Sequence, residues 1–101
     1  MEKFQEQKTS NSGVHFEQLI SRGCGLDVHK KLIVATIDSV GLHKETRKYD
    51  ATTNSLKELK DWLVANAVTH VAMESTGIYW KPVYNVLESS GITVWITVVF
   101  L

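Results

Sequence analysis

Arg22-Gly23-Cys24-Gly25-Leu26-Asp27-Val28-His29-Lys30-Lys31-Leu32-Ile33-Val34-Ala35-Thr36-Ile37 is the stretch that decides the fold. It holds a short apolar run that ends on a carboxylate, a polar break at His29-Lys30-Lys31, and a β-branched-rich run from Leu32 to Ile37. β-Branched side chains suit a pleated surface, and so tight a connection predicts a hairpin of two strands. Gly41 marks the next turn, and His43-Lys44-Glu45-Thr46-Arg47-Lys48-Tyr49 is polar enough for an exposed third strand, where lysines discourage unwanted edge pairing.

Beyond the three strands, Thr53 or Asn54 is placed to cap a helix, and Leu56, Leu59, Trp62, Leu63 and Ala67 recur at steps of three and four that form one helical face. His70-Val71-Ala72-Met73-Glu74 is a short strand reached by a crossover, hence expected to run parallel to an earlier one. After Ser75-Thr76-Gly77, the segment from Tyr79 to Glu88 carries Trp80, Val83, Tyr84 and Leu87 at helical spacing, with Pro82 in the first turn and Gly91 as the stop. Thr93 to Phe100 is strand material. The expected fold is α/β, a mixed sheet in the order β-β-β-α-β-α-β.

Residues 1–21 are rich in Gln, Ser, Asn and Glu, with Phe4, Val14, Phe16, Leu19 and Ile20 scattered and without period, and are expected to be a disordered leader. The whole chain has 101 residues, 44% of them apolar and 22% charged, which suits one globular domain with a single modest core. Eleven basic residues balance eleven acidic ones, so the overall charge steers the chain toward neither nucleic acid nor an anionic membrane; a polyanion has to be met locally. The lone cysteine, Cys24, forms no internal disulfide and favours a reducing, cytoplasmic setting. The apolar tract from Ile92 to Leu101 is far shorter than the ~20 residues of a spanning helix, and no membrane association is expected.

Asp27 and Glu74 lie 47 residues apart, each near the end of an apolar strand. If the crossover sets the fourth strand beside the first, the two carboxylates meet on one rim of the sheet. A carboxylate among apolar neighbours is costly unless paired or bound to metal, and magnesium, which prefers oxygen ligands, would supply the compensation. The plainer reading is also open: Asp27 as a turn former and Glu74 as a charge favouring the start of the next helix. His29 and His43 sit beside lysines and read as solvated histidines, with no zinc-type spacing around them. Lys30, Lys31, Lys44, Arg47 and Lys48 stand against only Asp38 and Glu45, a local surplus that suits phosphate contact or simply a soluble edge. Tyr79 is a candidate for stacking on a base, while Trp80 reads as core.

The string Gly25-Leu26-Asp27-Val28-His29-Lys30, with Met73-Glu74-Ser75-Thr76-Gly77-Ile78-Tyr79-Trp80 about fifty residues on, resembles the N-terminal part of the Piv-like DEDD transposases of bacterial insertion sequences, the insertion sequence one-ten family. The resemblance covers about residues 23 to 98. It implies an RNase H-like (RuvC-like) catalytic domain, partial here over residues 22–101 and incomplete at its C-terminus, in which Asp27 and Glu74 are two of four acidic Mg²⁺ ligands for phosphoryl transfer on DNA. It implies as partners DNA, a structured guide RNA and further copies or a full-length transposase. The remaining acids in that family lie in a Lys-Thr-Asp-x-x-Asp-Ala type segment beyond the fifth strand, and a separate domain brings a nucleophilic serine. This sequence contains neither, so the chain is expected to be inactive alone. The absent covering helix is expected to leave either Val94, Ile96 and Val98 or the alternate Trp95 facing water.

Two other functions compete. One is a non-catalytic nucleic-acid-binding module or regulator that uses the basic hairpin. The other is a small nuclease completed by dimerisation, which would borrow Asp38, Asp50 or Asp61.

Overall fold

The computed structural model describes residues 22–39 and 44–100. The expected leader, the turn at Gly41 and His43 lie outside the described residues. Five strands and two helices follow one another: β1 (Arg22–Val28), β2 (Leu32–Ser39), β3 (Glu45–Asp50), α1 (Thr53–Ala65), β4 (His70–Thr76), a 3-10 turn (Gly77–Tyr79), α2 (Trp80–Glu88) and β5 (Thr93–Val99). The strands form one mixed sheet in the spatial order β3-β2-β1-β4-β5. β1 and β2 are antiparallel, as are β2 and β3, whereas β4 runs parallel to β1 and β5 parallel to β4.

Period-two alternation sorts the side chains onto two faces. Cys24, Leu26 and Val28 of β1, Ile33, Ala35 and Ile37 of β2, and Val71 and Met73 of β4 are buried on one face. Both helices cover that face, α1 with Leu56, Leu59, Trp62 and Leu63 and α2 with Val83 and Leu87. Each fully buried side chain of this size contributes roughly 1.5–3 kcal/mol of transfer free energy, which makes this layer the main source of stability. No described residue packs over the opposite face. There β5 places Trp95, 60% exposed, and Val99, while Val94, Ile96 and Val98 are half-buried toward the helices. Of the two alternatives for β5, it is Trp95 that faces outward, because Val71↔Val94 and Met73↔Ile96 register puts the even-numbered residues on the core side.

The two edges of the sheet differ. β3 carries Glu45, Arg47, Lys48 and Asp50, whereas β5 carries no charge at all and is followed by Phe100, 76% exposed. Charge on an edge strand opposes pairing with another chain, so only β3 is protected in this way.

The cap of helix α1 is Thr52, just before the expected Thr53 or Asn54. Thr52 Oγ1 accepts from the Ser55 backbone N–H at 3.2 Å, and Ser55 Oγ in turn accepts from the Asp50 N–H at 2.9 Å, so the end of β3 and the start of α1 are tied by one pair of hydroxyls. At its other end the helix stops at Ala65, and Ala67, expected on the helical face, lies outside it at φ +58°. The Val68 N–H bonds the Leu63 carbonyl at 3.0 Å, and this reversal sends the chain into β4. A Cβ in the left-handed region costs about 1–2 kcal/mol, which glycine avoids at some cost in unfolded-chain entropy. Ala67→Gly is therefore expected to stabilise the fold by about 0.5–1 kcal/mol and to raise Tm by a few degrees in a thermal melt; a lower Tm would show that the left-handed turn is not strained.

Candidate functional site

The chain departs from β1 to β2 and β3 on one side and returns to β4 and β5 on the other, so the connections leave in opposite directions between β1 and β4. In open α/β sheets, ligands bind beyond the carboxyl ends of the strands at such a reversal. Here the parallel register sets Asp27 directly opposite Glu74. The sequence 47 residues apart has become a cross-strand pair on adjacent strands.

Both side chains stand on the face that the helices leave uncovered. The Asp27 side chain is 57% exposed, and Glu74 is exposed in the same row, because Leu26, Val28 and Met73 turn to the core and their alternates cannot. The apolar burial expected around these carboxylates is therefore absent, and with it the desolvation cost. They also lie within their strands, Asp27 one residue and Glu74 two residues before the last. What remains is the repulsion of two like charges directly opposite one another, worth a few tenths to about 1 kcal/mol. Around them Gly25, Ala72, Val34 and Thr36 line a shallow basin of about 460 Å³, where small side chains leave room beside the oxygens.

His29 is exposed, as its place beside the lysines predicts, and in addition its Nε2 lies 3.1 Å from Asp27 Oδ2, while its backbone N–H holds the Leu32 carbonyl at 2.9 Å across the β1–β2 turn. The signal was present in the spacing: two residues on along an extended chain is the same face. Thr69 Oγ1 contacts His70 Nδ1 at 2.7 Å, and the His70 ring stands 5.5 Å from Trp95.

Among the described residues, no group of three or more His, Cys, Asp or Glu side chains gathers into a metal cluster. The donors at hand are two carboxylates. They fit magnesium, which characteristically takes one or two protein carboxylates and fills its octahedron with water and substrate phosphate; they do not form a self-sufficient cage. Asp38, opposite Gly23, sits at the other end of β1, Asp50 opposite Leu32 on the far side of β2, and Asp61 beside Lys60 on α1, so none of the three joins the pair.

The basic residues do not act as one patch. Lys30 and Lys31 occupy the β1–β2 turn, and Lys30 shares a hollow with Tyr79. Lys44 approaches Asp38 at 3.9 Å. Arg47 bonds Glu45 at 3.1 Å and lies 4.6 Å above the Trp62 ring, on the helix side, whereas Lys48 is opposite Val34 on the open side. Trp80 is half-buried against the core, edge-on to Tyr84 at 6.0 Å. No helix among the described residues is long and apolar enough to cross a membrane.

In class, then, this is an open mixed α/β sheet with an acid pair at the point where its connections diverge. Solved structures share the fold: the Ppx/GppA family member of Aquifex aeolicus superposes with a TM-score of 0.52 at 16% identity, over 76% of this chain and 35% of that one. The type II variant of the Aquifex aeolicus Ppx/GppA phosphatase gives 0.51 at 14% identity, over 78% and 36%. The chain spans about a third of the length of these proteins. A search of curated proteins finds no match. A family model for IS110-type DEDD transposases matches residues 24–99, and the chain belongs to that transposase family.

Proposed function

We propose that residues 22–101 form part of an RNase H-like catalytic domain that serves DNA transposition, with Asp27 and Glu74 as magnesium ligands for phosphoryl transfer on DNA. The observation that carries this reading is the Asp27↔Glu74 register across parallel strands in a chain of the transposase family. Support for the fold comes from the strand order β3-β2-β1-β4-β5, with only the first three strands antiparallel. When bound, the ion neutralises phosphate charge and activates the attacking oxygen. Asp27 and Glu74 present hard oxygens on an open face that a nucleic-acid backbone can reach, and His29 Nε2 orients Asp27 Oδ2. Lys30, Lys31 and Lys48 bring positive charge to phosphates. Two carboxylates are half of the acid set that the resemblance implies, so the chain is expected to perform no strand transfer by itself.

The test is a thermal melt with and without millimolar Mg²⁺. Without the ion, Asp27→Asn removes the like-charge pair and is expected to be more stable than the wild type by a few tenths to about 1 kcal/mol. With the ion, the wild type gains stability and the variant does not, so the ranking narrows or reverses. Identical magnesium responses in the two proteins would refute ligation at this site.

The basic-hairpin module is a weaker reading, since Lys44 and Arg47 are already engaged by Asp38, Glu45 and Trp62. It would be preferred if salt-sensitive nucleic-acid binding survived Asp27→Asn but disappeared on removal of Lys30 and Lys31.

A further inference from the structure

Beyond the carboxyl ends of β1 and β4, on the other side of the β1–β2 turn from the acid pair, lies a hollow of about 340 Å³. Its floor is Leu56 and Val83, both buried core residues; Ile78, 62% exposed, and the half-buried Tyr79 form its wall, and Lys30 and Lys81 stand at its rim. A second hollow of about 400 Å³ adjoins it through Lys30 and Ala51 and adds Lys31. Asp50 is the single acidic residue lining the two hollows, and none of these three lysines has a carboxylate partner among the described residues. Lys81 comes from α2 and Lys30 from the hairpin turn, 51 residues away, and folding alone brings them to one mouth.

An apolar slot with an aromatic wall, lined also by Lys30 and by Lys81, whose Nζ lies 6.0 Å from the centroid of the neighbouring Trp80 ring, is complementary to a flat, weakly polar ring that carries an anion. We infer that the hollow takes an unpaired nucleotide of a nucleic-acid strand, the base against Ile78 and Tyr79 and the flanking phosphates against Lys30 and Lys81. This rests on the proposed phosphoryl-transfer site, because the strand is one that also passes Asp27 and Glu74, and Lys30 follows Asp27 by three residues along the turn. A base still paired in a duplex cannot enter such a slot, so the site selects single-stranded or extruded nucleotides.

The experiment measures binding of a short fluorescent single strand, its duplex and free nucleoside monophosphates by anisotropy, with Ile78→Asp and Lys81→Gln compared with the wild type. Both residues are exposed, and unchanged melting temperatures establish that the variants fold. The single strand is expected to bind more tightly than the duplex, and Ile78→Asp, which puts a carboxylate where the base lies, to weaken it about tenfold or more. Lys81→Gln is expected to reduce the slope of log affinity against log salt by about 0.7, one phosphate contact on a single strand. Wild-type affinity in both variants overturns the inference, and a monophosphate that binds as tightly as the strand overturns the strand as its source. The magnesium melt separates the two readings: if Asp27→Asn and wild type respond alike while Ile78→Asp still loses the single strand, the hollow stands and the metal site falls; with the magnesium response intact and both variants binding normally, the hollow falls alone.

Discussion

Alkylation of Cys24 in the folded protein at pH 8 is expected to run about a thousandfold or more below the rate of a free thiol. The side chain is 4% exposed on the helix-covered face of β1, and burial pushes its pKa from 9.0 up to about 12. The thiolate is the reactive species, and each unit lowers its fraction tenfold at a pH below both values. Iodoacetamide labelling followed by intact mass, with and without denaturant, reads the effect; equal rates in the two conditions would mean that β1 opens readily. The same shift has a consequence for stability. The unfolded thiol ionises near 9, while the folded one keeps its proton to about 12, so alkali between these values favours the unfolded chain. The contribution is complete below pH 9, is lost as pH climbs toward 12, and should be absent from the alkaline melting profile of Cys24→Ala.

Leu59→Ala is the second large effect, at about 2–5 kcal/mol. Leu59 is fully buried where α1 meets the sheet, and its truncation leaves a cavity in the only helical layer that the described residues supply. Native domains have roughly 5–15 kcal/mol in all, so this single change removes a large share of the total. Urea unfolding should show a sharply lower midpoint for Leu59→Ala and a shift within about 0.5 kcal/mol for Val64→Ala on the exposed side of the same helix. If the two midpoints coincided, α1 would not be docked through the Leu56-Leu59-Leu63 stripe.

The hairpin, the crossover and the helical stripe were legible because each is a local pattern: β-branched runs, a three-residue break and steps of three and four. The cap was misplaced because Thr52, Thr53 and Asn54 are consecutive competent residues, and only the bond to Ser55 chooses among them. The acid pair was legible as a pair, from two strands and a crossover, but its exposure was misread. Leu26 and Val28 flank Asp27 in sequence yet point the other way, so neighbours along a strand describe the opposite face. The Arg47–Trp62 contact and the meeting of Lys30 with Lys81 join separate elements, and no local spacing encodes them.

The unequal margins of the sheet give its two sides different characters. Among the described residues nothing pairs with the outer side of β5 and the strand carries no charge, so this margin lacks the device that opposes strand addition at β3. The composition of one strand thus decides which of the two margins is guarded.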